Sequence, residues 1–143
     1  FMPDTPVPGG TQTIMIVEDE PILRDMARDI LEGCGYRIIE ASSGKDALDV
    51  WSRRTTQIDL LLTDMMMPGG VSGVKLAERL LQSQPGLKVV FTSGYTANEI
   101  NPEVLAKTGA CFLQKPYSHA DLAKTIRDSI DKNTAAVPPL NSP

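Results

Sequence analysis

The chain has 143 residues, is 41% hydrophobic and 22% charged, and carries a net charge of -4. That is enough for one domain with a single core, in an ordinary globular composition. The acidic balance without any basic run argues against a nucleic-acid surface, no apolar run approaches the roughly 20 residues of a membrane helix, and two isolated cysteines, Cys34 and Cys111, point to a reduced cytosolic setting.

Residues 1–11 carry Pro3, Pro6, Pro8, Gly9 and Gly10 without periodicity and read as a flexible lead-in or linker. This stretch lacks the apolar core of a signal peptide, and Phe1 ahead of Met2 reads as a processing scar. Residues 133–143 carry Pro138, Pro139 and Pro143 and read as a flexible tail, which leaves 12–132 as the folded domain.

The run Thr13-Ile14-Met15-Ile16-Val17 suits a buried strand, and Glu18-Asp19-Glu20 follow at its exit. Pro21 fits the first turn of a helix, where its missing N–H is no loss, and Glu20 reads as a first-turn acid. Ile22, Leu23, Met26, Ala27, Ile30 and Leu31 recur at helical spacing, and Gly33 is expected to stop that helix. A second strand is predicted over 36–40, and a helix from Ser43 with Ala47, Leu48 and Trp51 inward. The third strand, 58–63, is continuously apolar from Leu60 to Leu62, as a parallel strand covered on both faces should be. Asp59 at its entry reads as a surface residue.

A third helix is predicted over 72–83 with Val74, Ala77, Leu80 and Leu81 inward, then a strand over 87–92. In 96–108 the helical pattern is interrupted or restarted by Pro102. A short strand over 111–113 leads to Gln114-Lys115-Pro116. Ser118 with Asp121 resembles a capping box, and His119 reads as a first-turn residue of the last helix, which carries Leu122, Ile126 and Ile130. Five β-α repeats predict an α/β fold: a flavodoxin-like, doubly wound five-stranded parallel sheet in the order 2-1-3-4-5.

Ligands of such sheets sit beyond the C-terminal strand ends. There this chain places Glu18, Asp19 and Glu20, then Asp64, then Thr92 and Ser93, then Lys115. With strands 1 and 3 adjacent, Asp19 and Asp64 should be close. Carboxylates gathered so tightly repel unless a cation joins them, and a few hard oxygen ligands suit Mg²⁺. A lysine and a hydroxyl opposite complete a site for phosphoryl transfer to a carboxylate.

Four motifs in order at four strand ends resemble the receiver domain of two-component response regulators. They are Ile16-Val17-Glu18-Asp19-Glu20, Leu62-Thr63-Asp64-Met65-Met66-Met67-Pro68-Gly69, Phe91-Thr92-Ser93-Gly94-Tyr95 and Leu113-Gln114-Lys115-Pro116-Tyr117. The resemblance implies that Asp64 accepts a phosphoryl group from a histidine kinase or a histidine phosphotransfer domain. It implies that Glu18, Asp19, Asp64 and the Met66 carbonyl hold Mg²⁺ (or Mn²⁺). It gives Ser93 and Lys115 the phosphoryl oxygens, Phe112 the role of switch aromatic, and Lys115-Pro116 a cis bond. Two departures are visible: Glu18 stands where many receivers have Asp, and Ser93 replaces the commoner Thr.

With the charge, cysteine and apolar-run readings above, the expectation is a cytoplasmic module without nucleic-acid or membrane contact, with a homodimer through the last helix-strand-helix face as one further option. The wording around Ser93 and Lys115 is similar to receivers at the C-termini of hybrid sensor histidine kinases. Chemistry at Asp64 would be self-catalysed transfer and hydrolysis rather than ordinary turnover. Bulky Met66 and Tyr95 flank the path of hydrolytic water, which predicts a slowly lost phosphoryl group. Two other classes use similar parts. A haloacid-dehalogenase-type phosphatase needs a second Asp two residues after the nucleophile, where this chain has Met66. A flavin-binding module needs a Ser/Thr/Gly-rich loop after strand 1, where this chain has three acids.

Overall fold

The computed structural model describes residues 9–67, 69–94 and 100–132. The expected alternation is present. In chain order it runs β1 (Thr13–Val17), α1 (Pro21–Gly33), β2 (Arg37–Ala41), α2 (Gly44–Arg53), β3 (Leu60–Asp64), α3 (Gly73–Ser83), β4 (Lys88–Ser93), α4 (Pro102–Thr108), β5 (Cys111–Gln114) and α5 (His119–Asp131). All four strand pairings are parallel, and the sheet order is β2-β1-β3-β4-β5.

Successive strand residues face opposite sides of the sheet, so one apolar run fills two cores. Ile14, Ile16, Leu60, Leu62 and Val90 pack under α1 and α5 with Ala27, Leu31, Leu122 and Ile126. Met15, Leu61, Val89 and Phe91 pack on the other face with Ala47, Trp51, Leu76, Ala77 and Leu80. A fully buried Leu or Ile contributes about 1.5–3 kcal/mol relative to exposure. That apolar sandwich is what holds the strand ends, and therefore the site, in place.

Side-chain caps start most of the helices. Ser43, Ser72 and Ser118 accept the N–H of Asp46, Lys75 and Asp121 respectively. Pro102 starts α4 behind an Asn101 cap, and Gly109 ends it in the left-handed region. Several expectations need correction. α1 does end at Gly33, but Gly33 itself stays helical: Cys34 caps in a right-handed conformation, and the chain reverses at Gly35 with φ of 102°. Glu20 sits at the N-cap rather than within the first turn, without a side-chain cap bond. On α3 the fully buried residues include Leu76, whereas Val74 and Leu81 are only half-buried. On α1 the helical apolar spacing spans two faces, because Ile22 is 75% and Met26 49% exposed.

Asp59 is no mere surface residue. Its carboxylate accepts the Thr13 N–H at 2.9 Å, and its own N–H donates to Thr13 O at 2.8 Å. These two bonds align the starts of β1 and β3. At the same end of the sheet, Gly10 N–H donates to Cys34 O, and the Arg127 guanidinium donates to Gly9 O. At the other end, α3 begins almost on top of β3. A Cβ on Gly73 would stand 1.9 Å from Asp64 O, so no side chain fits there without movement, and the Gly73 N–H donates to Met65 O.

Candidate functional site

The strand register explains the gathering of functional groups. Asp64 is the last residue of β3 and pairs with Thr92 of β4. Ser93 ends β4 opposite Gln114 of β5, and Lys115 follows at once. Val17 ends β1 opposite Thr63, so Glu18 and Asp19 leave the sheet beside Asp64. Backbone bonds tie these exits together. Met65 N–H donates to Thr92 O at 2.9 Å, Lys115 N–H to Ser93 O at 2.8 Å, and Glu18 N–H to Ala41 O at 3.2 Å.

The Lys115 ammonium occupies the centre. It donates to Glu18 Oε1 at 2.9 Å and to Asp64 Oδ2 at 3.0 Å. The remaining oxygens of both acids also have donors: Glu18 Oε2 accepts the Glu20 N–H at 3.3 Å, and Asp64 Oδ1 accepts the Met66 N–H at 3.2 Å. Asp19 is exposed and completes a group in which carboxylate oxygens of Glu18, Asp19 and Asp64 lie within 4.8 Å of one another. Glu18 is 6% exposed, and burial raises its carboxyl above the ordinary range against the opposing pull of Lys115. Burial alone would lower Lys115, but its bonds to Glu18 and Asp64 outweigh that and hold the ammonium charged. Burial, followed by the negative charge of Glu18, also raises the Tyr117 hydroxyl.

Three carboxylates against one ammonium leave the site electron-rich. Every donor in that set is a hard oxygen, with no thiolate or imidazole among them, which fits Mg²⁺ or Mn²⁺. The geometry therefore offers an acid at a strand terminus, a cation-attracting cluster around it and a lysine able to pair with a new anion.

A family model, the response regulator receiver domain, matches residues 14–127. The chain belongs to that family. It is 32% identical over 123 residues to the sensor kinase CckA of Brucella abortus, covering 86% of this chain and 13% of the kinase. It is 33% identical over 113 residues to the response regulator receiver protein CpdR of the same organism, covering 79% of this chain and 92% of that protein. A crystal structure of the receiver domain from the hybrid histidine kinase CckA superposes with a TM-score of 0.69 at 31% identity, covering 82% of this chain and 98% of that one. The chain thus spans a small part of one curated relative and nearly all of another.

As a receiver domain the chain is a phosphoacceptor module of two-component signalling, and such modules exchange phosphoryl groups with histidine kinases or phosphotransfer proteins. The phosphatase and flavin alternatives are not favoured. Among the described residues no helix is long and apolar enough to cross a membrane.

The remaining expected site residues fall as follows. Ser93 is buried at 2% exposure. Met66 is 62% exposed beside Asp64, while Met65 is buried in the core. Phe112 is half-buried, aligned with Phe91 and packed against the core on that face of the sheet. Lys115-Pro116 is cis. Pro68 and Tyr95 lie outside the described residues. Arg24, whose guanidinium donates to the Glu18 carbonyl, was not singled out from sequence. Its only signal there was a lone arginine one turn after the acids.

Replacing Lys115 with Met leaves Glu18 and Asp64 facing each other without a cation. We expect Lys115→Met to lower the urea-unfolding free energy in EDTA by about 1–3 kcal/mol, the usual consequence of stranding partly buried charged acceptors. Millimolar Mg²⁺ should close most of that gap, because a divalent ion replaces the lost ammonium. A gap unchanged by Mg²⁺ counts against a cation site here.

Proposed function

We propose that Asp64 is the phosphoacceptor. The observation that carries this reading is Lys115 held between Asp64 and Glu18, with Asp19 completing the oxygen cluster at the same strand edge. Glu18, Asp19, Asp64 and the Met66 carbonyl would hold Mg²⁺, or Mn²⁺ in its place. When bound, the ion neutralises charge on the entering phosphoryl group and orients it. A carboxylate oxygen of Asp64 forms the new P–O bond as the P–N bond of a phosphohistidine breaks, and that electron pair stays on the donor's imidazole. Lys115 then exchanges a carboxylate partner for a phosphoryl oxygen. Ser93 donates its hydroxyl to another, and Phe112 follows the movement of the Ser93 backbone.

The donor approaches over α1. Met26, itself exposed, lines a groove of about 330 Å³ with Leu23, Lys115, Pro116 and Tyr117, and α1 also exposes Ile22. An amphipathic helix carrying a phosphohistidine fits this apolar entrance to a charged site. The parent context supported by the relatives is a hybrid sensor histidine kinase. The free thiols of Cys34 and Cys111 suit the cytoplasm.

Beryllofluoride with Mg²⁺ should form a stable adduct on the wild-type chain and none on Asp64→Asn, read by intact mass under native conditions or by amide shifts. An adduct on Asp64→Asn sinks the assignment. A Met26→Glu variant should take phosphoryl from acetyl phosphate at the wild-type rate, yet accept it from a histidine phosphotransfer protein at least about tenfold more slowly, a barrier change of roughly 1.4 kcal/mol. Equal loss with both donors would place the defect at Asp64 instead.

Met66 stands two residues after Asp64, its N–H donating to Asp64 Oδ1, and its exposed side chain is apolar and cannot orient water. Met66→Asn should hasten phosphoaspartate hydrolysis by about tenfold, again near 1.4 kcal/mol of barrier. The check is the decay of the phosphorylated mass after removal of the donor, and an unchanged lifetime refutes the shielding role. Tyr95→Ala tests the second residue expected to slow hydrolysis, in the same assay.

A further inference from the structure

Arg24 lies in the first turns of α1, and its side chain is largely buried at 18% exposure. Nη1 donates to the backbone carbonyl of Glu18 at 2.7 Å. Nε faces Glu40 Oε1 of β2 at 3.4 Å, and Glu40 Oε2 is held in turn by Arg28 at 3.2 Å. Arg28 also pairs with Asp25 and Asp29, so the guanidinium of Arg24 is braced by a wider network.

The carbonyl that Arg24 holds belongs to the peptide joining Glu18 to Asp19. That unit is planar and trans, so fixing its C=O also fixes the direction of the Asp19 N–H and the path of the chain into Asp19. On its other side the Glu18 N–H is fixed by Ala41 O at 3.2 Å. The two acids that flank Asp64 thus spring from a backbone gripped at both ends. Left alone, acids so close would swing apart.

We propose that Arg24 is a positioning residue for divalent-cation binding: by holding the Glu18–Asp19 peptide it sets the separation of the carboxylates that receive the ion. This rests on the cation site described above. Charge and geometry predict opposite signs for its removal. Deleting a positive charge near an acidic cluster should strengthen cation binding by Coulomb's law. Deleting a positioning contact should weaken it, and outer-shell partners of metal ligands typically alter affinity by about 10–100-fold.

The experiment is a calorimetric titration of the full chain with Mn²⁺. Arg24→Met should weaken binding by about tenfold or more. Arg24→Lys, which keeps one donor, should recover part of that loss. Arg28→Met removes a partner of Glu40 but no bond to Glu18, and should stay within about twofold of wild type, below one outer-shell contact. Phosphorylation of Arg24→Met by acetyl phosphate should be slow at low Mn²⁺ and return toward the wild-type rate at saturation, which general loosening of the fold would not produce. Unchanged or tighter binding by Arg24→Met overturns the proposal, as does an equal loss in Arg28→Met. If the wild-type chain itself binds no Mn²⁺ that Asp64→Asn abolishes, the cation site falls, and this inference with it.

Discussion

The ammonium of Lys115, 2.9 Å from Glu18 and 3.0 Å from Asp64, joins three strands that are far apart in sequence. It leaves β5, passes the end of β4 and meets acids from β3 and β1. Neighbouring strands are about 4.8 Å apart, so from β5 to β3 the span is about 10 Å. Only a long, straight side chain can cross it. The backbone N–H of the same residue is bonded to Ser93 O, which anchors the base of the arm to β4. The extra methylene of Glu18 lengthens the reach from the β1 side.

This contact sits where the fold is least at ease with itself. The apolar layers above and below the sheet favour burial, yet the strand ends bring three carboxylates into a space of a few ångströms. Glu18 is buried enough that desolvation raises its carboxyl despite a lysine in contact. Crowded charges that one ammonium only partly neutralises are a standing preference for more positive charge. Under the function proposed above, a cation and a phosphoryl group together would rewrite the pairing of Lys115.

The neighbourhood divides into rigid and adaptable parts. Gly73 brings α3 against the Asp64 carbonyl, and Met65 is locked to Thr92 and buried, so the acid itself stands on a fixed base. Met66 is exposed, and the helix that follows β4 is only seven residues long. A short helix with few buried residues is a natural place for a small population shift, because little apolar contact opposes it.

Much of this was legible in the chain itself. Apolar runs ending in acids at Val17 and Thr63, a lysine before Pro116, and helical spacing between them determined the element order, the parallel sheet and the four strand ends that carry the chemistry. Those signals are local, and parallel βα units leave few topologies to choose from. Tertiary structure alone decided the rest. It put Ile22 and Met26 in solvent although they share the helical spacing of buried Ala27 and Leu31. It gave the carboxylate of Asp59 to Thr13, the turn after α1 to Gly35, and the carbonyl of Glu18 to Arg24. Each of these depends on which groups lie opposite across a packed interface. Spacing along a sequence fixes the face a residue belongs to, but not what that face meets.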